Sequence, residues 1–282
     1  MLKHQTDGRF DLEAVKVLRE HRVRLLCLGH VNNETGVVQD IPAIAAALRE
    51  GSPQTQLFVD GVQAAGKWDY TPGFWEGVAG YSLSAHKFNG PKGIGLLIYE
   101  SRLNPRPQIH GGRQQYGVRS GTLPVPLIVG LAKALEVSTS RGAKVRAQLQ
   151  ALRRRLVDGL REMQRNDPHF KLTFNSLPDA EATHQSPAIV NFSFPPVEGE
   201  VILHHLEKNE IFVGLGSACS AYSKEPSRIL RGIGRTVEEA LCSLRVSFDG
   251  NNTLQDVDAF LQEFRQAYTA LYPVYHRKAA HP

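Results

Sequence analysis

The sequence predicts an α/β protein, with a mostly parallel sheet and flanking helices followed by a smaller α+β domain. Three observations carry this. Short apolar runs alternate with helically spaced segments through the first half. A long basic stretch of helical pattern crosses the middle, and the last third mixes strands with helices.

The elements follow in chain order. Leu25-Leu26-Cys27-Leu28 is a buried-strand run, followed by the turn-like Asn32-Asn33-Glu34-Thr35-Gly36. From about Ile41 to Glu50, Ile41, Ile44, Ala45 and Leu48 recur at helical spacing. Leu57-Phe58-Val59 is a second strand ending at Asp60, Gly80–Ser84 a third and Gly95–Tyr99 a fourth. In open α/β sheets ligands gather beyond the C-terminal ends of the strands. Asn33, Asp60 and the Ser84-Ala85-His86-Lys87 run are predicted to lie there.

From about Pro126 to Arg165 apolar residues recur at three- and four-residue steps, with arginines between them. One face is predicted to be buried and the arginine face solvated. This helix places the domain boundary near Arg141, giving a large domain over 1–140 and a small one over 141–282. In the latter, Phe170–Phe174, Ala188–Phe194 and Ser243–Phe248 read as strands. Glu198–Lys208, Val237–Cys242 and about Leu254–Ala270 read as helices.

Composition excludes several classes. A chain of 282 residues with 41% hydrophobic content can bury a core, so disorder is out. A net charge of +5 permits acidic or phosphorylated ligands without demanding nucleic acid. Cys27, Cys219 and Cys242 form no CxxC pair, which argues against a disulfide framework and for a reducing compartment. The N-terminal residues lack the apolar core of a signal peptide, and no run approaches about 18 apolar residues. A cytoplasmic protein with no membrane contact is expected. His204-His205 lacks a second ligand pair at zinc spacing, and neither GxxxxGK[ST] nor GxGxxG occurs. No metal site is expected.

The most specific segment is Ser84-Ala85-His86-Lys87-Phe88-Asn89-Gly90-Pro91-Lys92-Gly93. A lysine just after a strand, in a glycine-rich turn, can be desolvated and act as a nucleophile toward aldehydes. Asp60 ends a strand, Gln63 follows three residues on, and Ser84 and His86 flank the lysine. A lysine of this kind with an Asp partner for a pyridinium nitrogen is the signature of pyridoxal phosphate. Cys219, in Gly214-Leu215-Gly216-Ser217-Ala218-Cys219-Ser220-Ala221, lies outside any apolar run and suits a reactive thiol. Cys27, inside a strand, is expected in the core, and Cys242 to be structural.

Four blocks, His30–Gly36, Val59–Gln63, Ser84–Lys87 and Arg119–Pro124, resemble NifS/IscS-type cysteine desulfurases. These belong to the class V aminotransferase group of fold-type I pyridoxal-phosphate enzymes. The resemblance implies that Lys87 binds the cofactor covalently and moves protons at the substrate Cα. It implies that Asp60 pairs with the pyridinium nitrogen, Gln63 with the phenolic oxygen, and Ser84 and His86 with the phosphate. Thr122 is implied to reach the phosphate of a neighbouring subunit in a homodimer. Asn33 and Arg245 are implied to bind the carboxylate of L-cysteine, an anion that arginine can grip with both arms of its fork. Cys219 is implied to accept sulfur as a persulfide and pass it to an acceptor or iron–sulfur scaffold protein, for clusters or tRNA thiolation.

The resemblance also carries departures. Only about two dozen residues precede Leu25, with no counterpart of the family's Gly/Thr-rich phosphate loop or of the histidine that stacks on the pyridine ring. The implied shortfall is roughly a hundred residues, a domain-sized piece. The sheet is then the middle of a larger one, with open edges and apolar faces. Glycine also comes late after Arg245, at Gly250. The leading expectation is an L-cysteine-to-L-alanine desulfurase. The competing ones are an inactive truncated homologue or interaction module, one half of a split enzyme, and a selenocysteine lyase sharing the same chemistry.

Overall fold

A computed structural model describes residues 4–179, 183–216 and 225–280. The chain divides into two compact units. The first holds Asp11–Val31 and Gln39–Gly142. The second holds the chain up to Phe10, the short segment Asn32–Val38, and everything from Ala143 on.

The first unit is built on a four-stranded sheet in the order β1 (Leu25–Gly29), β2 (Gln56–Asp60), β3 (Val78–Ser84), β4 (Gly95–Tyr99). β1, β2 and β3 are parallel, and β4 returns antiparallel to β3. The predicted mostly parallel sheet is therefore present. Helix α1 (Ala14–Glu20), which the sequence did not reveal, buries Ala14, Val15 and Leu18. Helix α2 (Ile41–Gly51) starts where the Asp40 side chain accepts the Ala43 N–H, and it buries Ile41, Ile44, Ala45 and Leu48. The two helices lie close: a Cβ on Gly51 would stand 2.7 Å from Val15 Cγ1.

Side chains alternate along β1, so Leu26 is buried while Leu25 and Cys27 are exposed. This corrects the expectation of a core Cys27: the strand is at an edge and only one face is covered. At the other edge, Leu96, Leu97 and Ile98 are all exposed. Three consecutive exposed residues mean that neither face of β4 is covered.

Helix α3 (Val125–Asn166) carries the chain from the first unit into the second. There a three-stranded antiparallel sheet has the order β5 (Thr173–Phe174), β6 (Ile189–Ser193), β7 (Ser243–Ser247). Helices α4 (Gly199–Lys208), α5 (Arg228–Gly232), α6 (Val237–Leu241) and α7 (Leu254–Ala280) complete the unit. α6 opens with a reciprocal cap between Thr236 and Glu239. One core gathers Leu149, Leu156 and Leu160 of α3, Phe192 of β6, Leu244 of β7 and Phe264 of α7.

α7 runs past Pro273, ten residues beyond its predicted end, because Leu271, Tyr272 and Tyr275 continue its packing onto that core. β5 is shorter than predicted. Phe170 leaves the strand to pack edge-on against Phe264 and Tyr268. Nor are all the α3 arginines solvated. Arg153 is buried, and its guanidinium donates to the carbonyls of Leu177 and Asp179. Desolvation lowers its pKa to about 10.

The segment Asn32–Val38 belongs to the second unit through its hydrogen bonds. Ser176 Oγ and Gln185 Nε2 donate to the Thr35 carbonyl at 2.6 and 3.1 Å. Val38 N–H reaches His184 O, and Ser186 N–H reaches Gly36 O, each at 2.8 Å.

Candidate active site

The chemistry-bearing residues fall into two sets, one in each unit. In the first unit, Asp60 ends β2 and is paired in register with Ser82 of the parallel neighbour β3. Two residues on, β3 ends at Ser84, and a short 3-10 turn, Ala85–Phe88, carries His86 and Lys87. The carboxylate, hydroxyl, imidazole and amine thus stand at the C-terminal ends of adjacent parallel strands. Asn89, at φ 64°, closes the turn, and its N–H caps back onto Ala85 O.

Asp60 Oδ1 accepts the Val62 N–H at 3.0 Å and faces Ser82 Oγ at 3.5 Å. Its Oδ2 receives no hydrogen bond among the described residues. Ser84 Oγ and His86 Nδ1 are 3.0 Å apart. Lys87 is exposed and makes no ion pair among the described residues, so it is not desolvated as the sequence suggested. Gln63 is half-buried in the turn after Asp60, and Thr122 is exposed. Thr122 follows a pinned loop in which Ser120 Oγ donates to Gly112 O and Gly121 N–H to Gln114 Oε1.

Beneath the Asp60 turn lies an aromatic cluster. His30 donates its backbone N–H to Asp60 O at 2.8 Å, and its Nδ1 is 2.9 Å from Tyr81 Oη. Tyr81 Oη is in turn 3.3 Å from Tyr70 Oη, and Phe74 and Trp75 pack around them. A side chain at Gly61 would overlap the Tyr81 ring, so only glycine lets the turn lie on it. Burial pushes both tyrosines up and holds the His30 imidazole down at about 4.

That depression has a stability consequence. The unfolded chain takes up the His30 proton as pH falls through about 6.5, while the folded chain resists it until about 4. Stability present above about 6.5 is therefore lost progressively between those values, by about 3 kcal/mol in all. Urea unfolding of wild type and His30→Asn at pH 7 and pH 5 checks this: the substitution should flatten the dependence.

The second set lies wholly in the second unit. Arg245 of β7 is half-buried, with its backbone locked to Gly214 in both directions, at 2.9 and 2.6 Å. Its Nη1 donates to the carbonyls of Asn33, at 3.1 Å, and Gly216. Its Nε is buried without a partner among the described residues. Burial lowers the Arg245 pKa, and the charge of Glu34 opposes that shift. Glu34 is itself buried, and its Oε2 accepts Ser227 Oγ at 2.5 Å. Asn33 and Arg245, 212 positions apart in the chain, are thus brought together.

Cys219 lies outside the described residues. Cys242 is buried, and desolvation, then the charges of Glu238 and Glu198, push its thiol up to about 12. That disqualifies it as a nucleophile. Nothing in the sequence marks Tyr70 or Ser227 for a role near these sets. For Tyr81, the only signal is the glycine after Asp60.

Pyridoxal phosphate would require an aldehyde-reactive amine, an anion for its ring nitrogen and donors for its phosphate. Lys87, the open Oδ2 of Asp60, and the Ser84–His86 pair match that set chemically.

Comparison with known proteins agrees with this chemistry. The family model described as Aminotransferase class-V matches residues 1–260. The chain is 36% identical over 272 residues to "Cysteine desulfurase IscS" of Vibrio vulnificus, covering 96% of this chain and 64% of that relative. It is 35% identical to the protein of the same name from Tolumonas auensis, covering 91% and 60%. The chain therefore spans somewhat under two thirds of the length of these curated relatives. Among solved structures, a NifS-like protein matches with TM-score 0.82 and 28% identity, over 96% of this chain and 68% of that one. DndA from Streptomyces lividans matches with TM-score 0.64 and 32% identity, over 88% and 67%.

Proposed function

The chain belongs to the class-V aminotransferase family, and from that premise we propose that it works as a pyridoxal-phosphate-dependent cysteine desulfurase. L-cysteine gives up its sulfur to the Cys219 thiol, which becomes a persulfide, and leaves as L-alanine. The observation that carries this reading is the placement of Asp60 and of Ser84, His86 and Lys87 at the C-terminal ends of two adjacent parallel strands.

When bound, pyridoxal phosphate supplies an electron sink for chemistry at the substrate Cα. Lys87 holds the cofactor covalently and moves the proton at that carbon. Asp60 would offer its open carboxylate oxygen to the ring nitrogen of the cofactor, and Gln63 would hydrogen-bond the phenolic oxygen. Ser84 and His86 hold the phosphate. Asn33 and Arg245 orient the substrate carboxylate, and Cys219 takes the sulfur outward.

We assign cofactor binding to residues 1–140 and the sulfur-carrying cysteine to 141–282. Thr122, exposed after its pinned loop, suits contact with the cofactor phosphate of a second copy in a homodimer. The sulfur then goes to an iron–sulfur scaffold or other acceptor protein, for cluster assembly or tRNA thiolation. A cytoplasmic setting suits a thiol that must stay reduced. Among the described residues no helix is long and apolar enough to cross a membrane. The uncovered faces of β4 favour a second reading, in which the chain acts together with another polypeptide.

The direct test is to supply the purified protein with pyridoxal phosphate and L-cysteine, and to measure alanine and the persulfide by mass spectrometry. Stoichiometric alanine with the added sulfur on Cys219 supports the reading. No alanine above a cofactor-free sample overturns the desulfurase, and activity restored by a co-purifying protein favours the second reading.

A further inference from the structure

We propose that Glu34 is a positioning residue that sets the affinity of Arg245 for the substrate carboxylate, acting as a resident anion that competes for the same cation. The inference rests on the reading of Arg245 as the carboxylate site.

Among the described residues the hydrogen-bond partners of the Arg245 guanidinium are two neutral carbonyls, those of Asn33 and Gly216, and its Nε has none. Among the described residues no carboxylate lies within ion-pair distance of it. The carboxylate of Glu34 stands beside Gly216, whose carbonyl the guanidinium holds, and its charge favours the cation. A half-buried guanidinium with no contacting counter-ion among the described residues can still take a carboxylate.

Glu34 is held in that place by design of the local chain. Its N–H and that of Thr35 both donate to Asn32 Oδ1 at 2.9 Å, which fixes the turn. Its Oε2 accepts Ser227 Oγ, and the same hydroxyl accepts the Leu230 N–H at the start of α5. A Cβ on Gly216 would stand 3.2 Å from the same Oε2. The carboxylate is thus close to both Ser227 and the glycine whose carbonyl Arg245 holds. It is 5% exposed, so its field is weakly screened by solvent.

Two consequences follow for one charge. With the site empty, Glu34 stabilises the half-buried cation. With a carboxylate on Arg245, the same charge becomes a like-charge neighbour and weakens binding. Such an arrangement weakens the hold on substrate and product carboxylates alike and so favours release of the amino-acid product.

The test compares Glu34→Gln, which keeps the shape and the acceptor for Ser227, with Glu34→Asp, which keeps the charge. Binding of L-alanine to the cofactor-free protein is measured by calorimetry, and the KM and kcat for L-cysteine are measured in the loaded protein. Glu34→Gln should bind L-alanine about tenfold more tightly and lower KM by a similar factor. It should also melt at a lower temperature than wild type when ligand-free. Glu34→Asp should stay near wild type. A merely structural role predicts weaker binding, so an unchanged or weakened affinity in a folded Glu34→Gln protein overturns the proposal. Arg245→Gln separates the two readings: if it binds L-alanine and turns over L-cysteine with wild-type constants, the carboxylate site lies elsewhere and both fall.

Discussion

Replacing Lys87 by alanine is expected to lower alanine formation from L-cysteine by at least about 10³-fold, while the protein folds as before. On the proposed assignment the rate falls because one amine does two jobs, holding the cofactor and moving the proton at the substrate Cα, and general acid–base catalysis alone is worth about 10²–10⁴-fold. The fold survives because Lys87 is exposed and pairs with nothing among the described residues. The urea midpoint should therefore match wild type, while the visible absorbance of bound cofactor is lost. Lys92, exposed in the same loop, provides the control. If Lys92→Ala loses activity and Lys87→Ala keeps it, the assignment of the amine is wrong.

The second large effect falls on stability. Phe264 is fully buried, and its ring meets those of Phe170, Phe192 and Phe194 edge-on and stacks on Phe260 and Tyr268. Phe264→Ala should cost about 3–5 kcal/mol, because the surrounding rings come from α3–β5, β6 and α7 and cannot all close the gap. Phe264→Leu should recover much of it. Chemical denaturation monitored by aromatic circular dichroism checks both. A loss under about 1 kcal/mol would mean that this core is far looser than its burial implies.

The parts of the fold legible in the sequence are those where one physical signal dominates. The period of α2 and α3 and the apolar runs of β2 and β3 mark themselves, because a buried helix face or strand leaves few other solutions. α1 was hidden because its buried face is short, only Ala14, Val15 and Leu18. The burial of Arg153 was hidden for a different reason. A helical wheel places it among solvated arginines, and only the carbonyls of Leu177 and Asp179, contributed from two dozen residues away, make its burial tolerable.

The placement of Asp60 and of Ser84–Lys87 was legible because both lie at strand ends that the sequence marks. What surrounds it was not. The contact of His30 with Tyr81 spans 51 positions, and that of Glu34 with Ser227 spans 193. Such pairs leave no local pattern, since each residue satisfies its own turn or strand and the partnership exists only in three dimensions.

The detour of Asn32–Val38 into the second unit changes what a protease could achieve. The chain passes from one unit to the other and back before α3 makes the final crossing, so no single cleavage yields two complete halves. A fragment beginning at Ala143 would lack the strip that bonds Ser176, His184, Gln185 and Ser186. A chain nicked between Gly142 and Ala143 would keep that strip stitched in place by the same bonds. Cut protein is therefore expected to run as two bands under denaturing conditions and as one species in native solution.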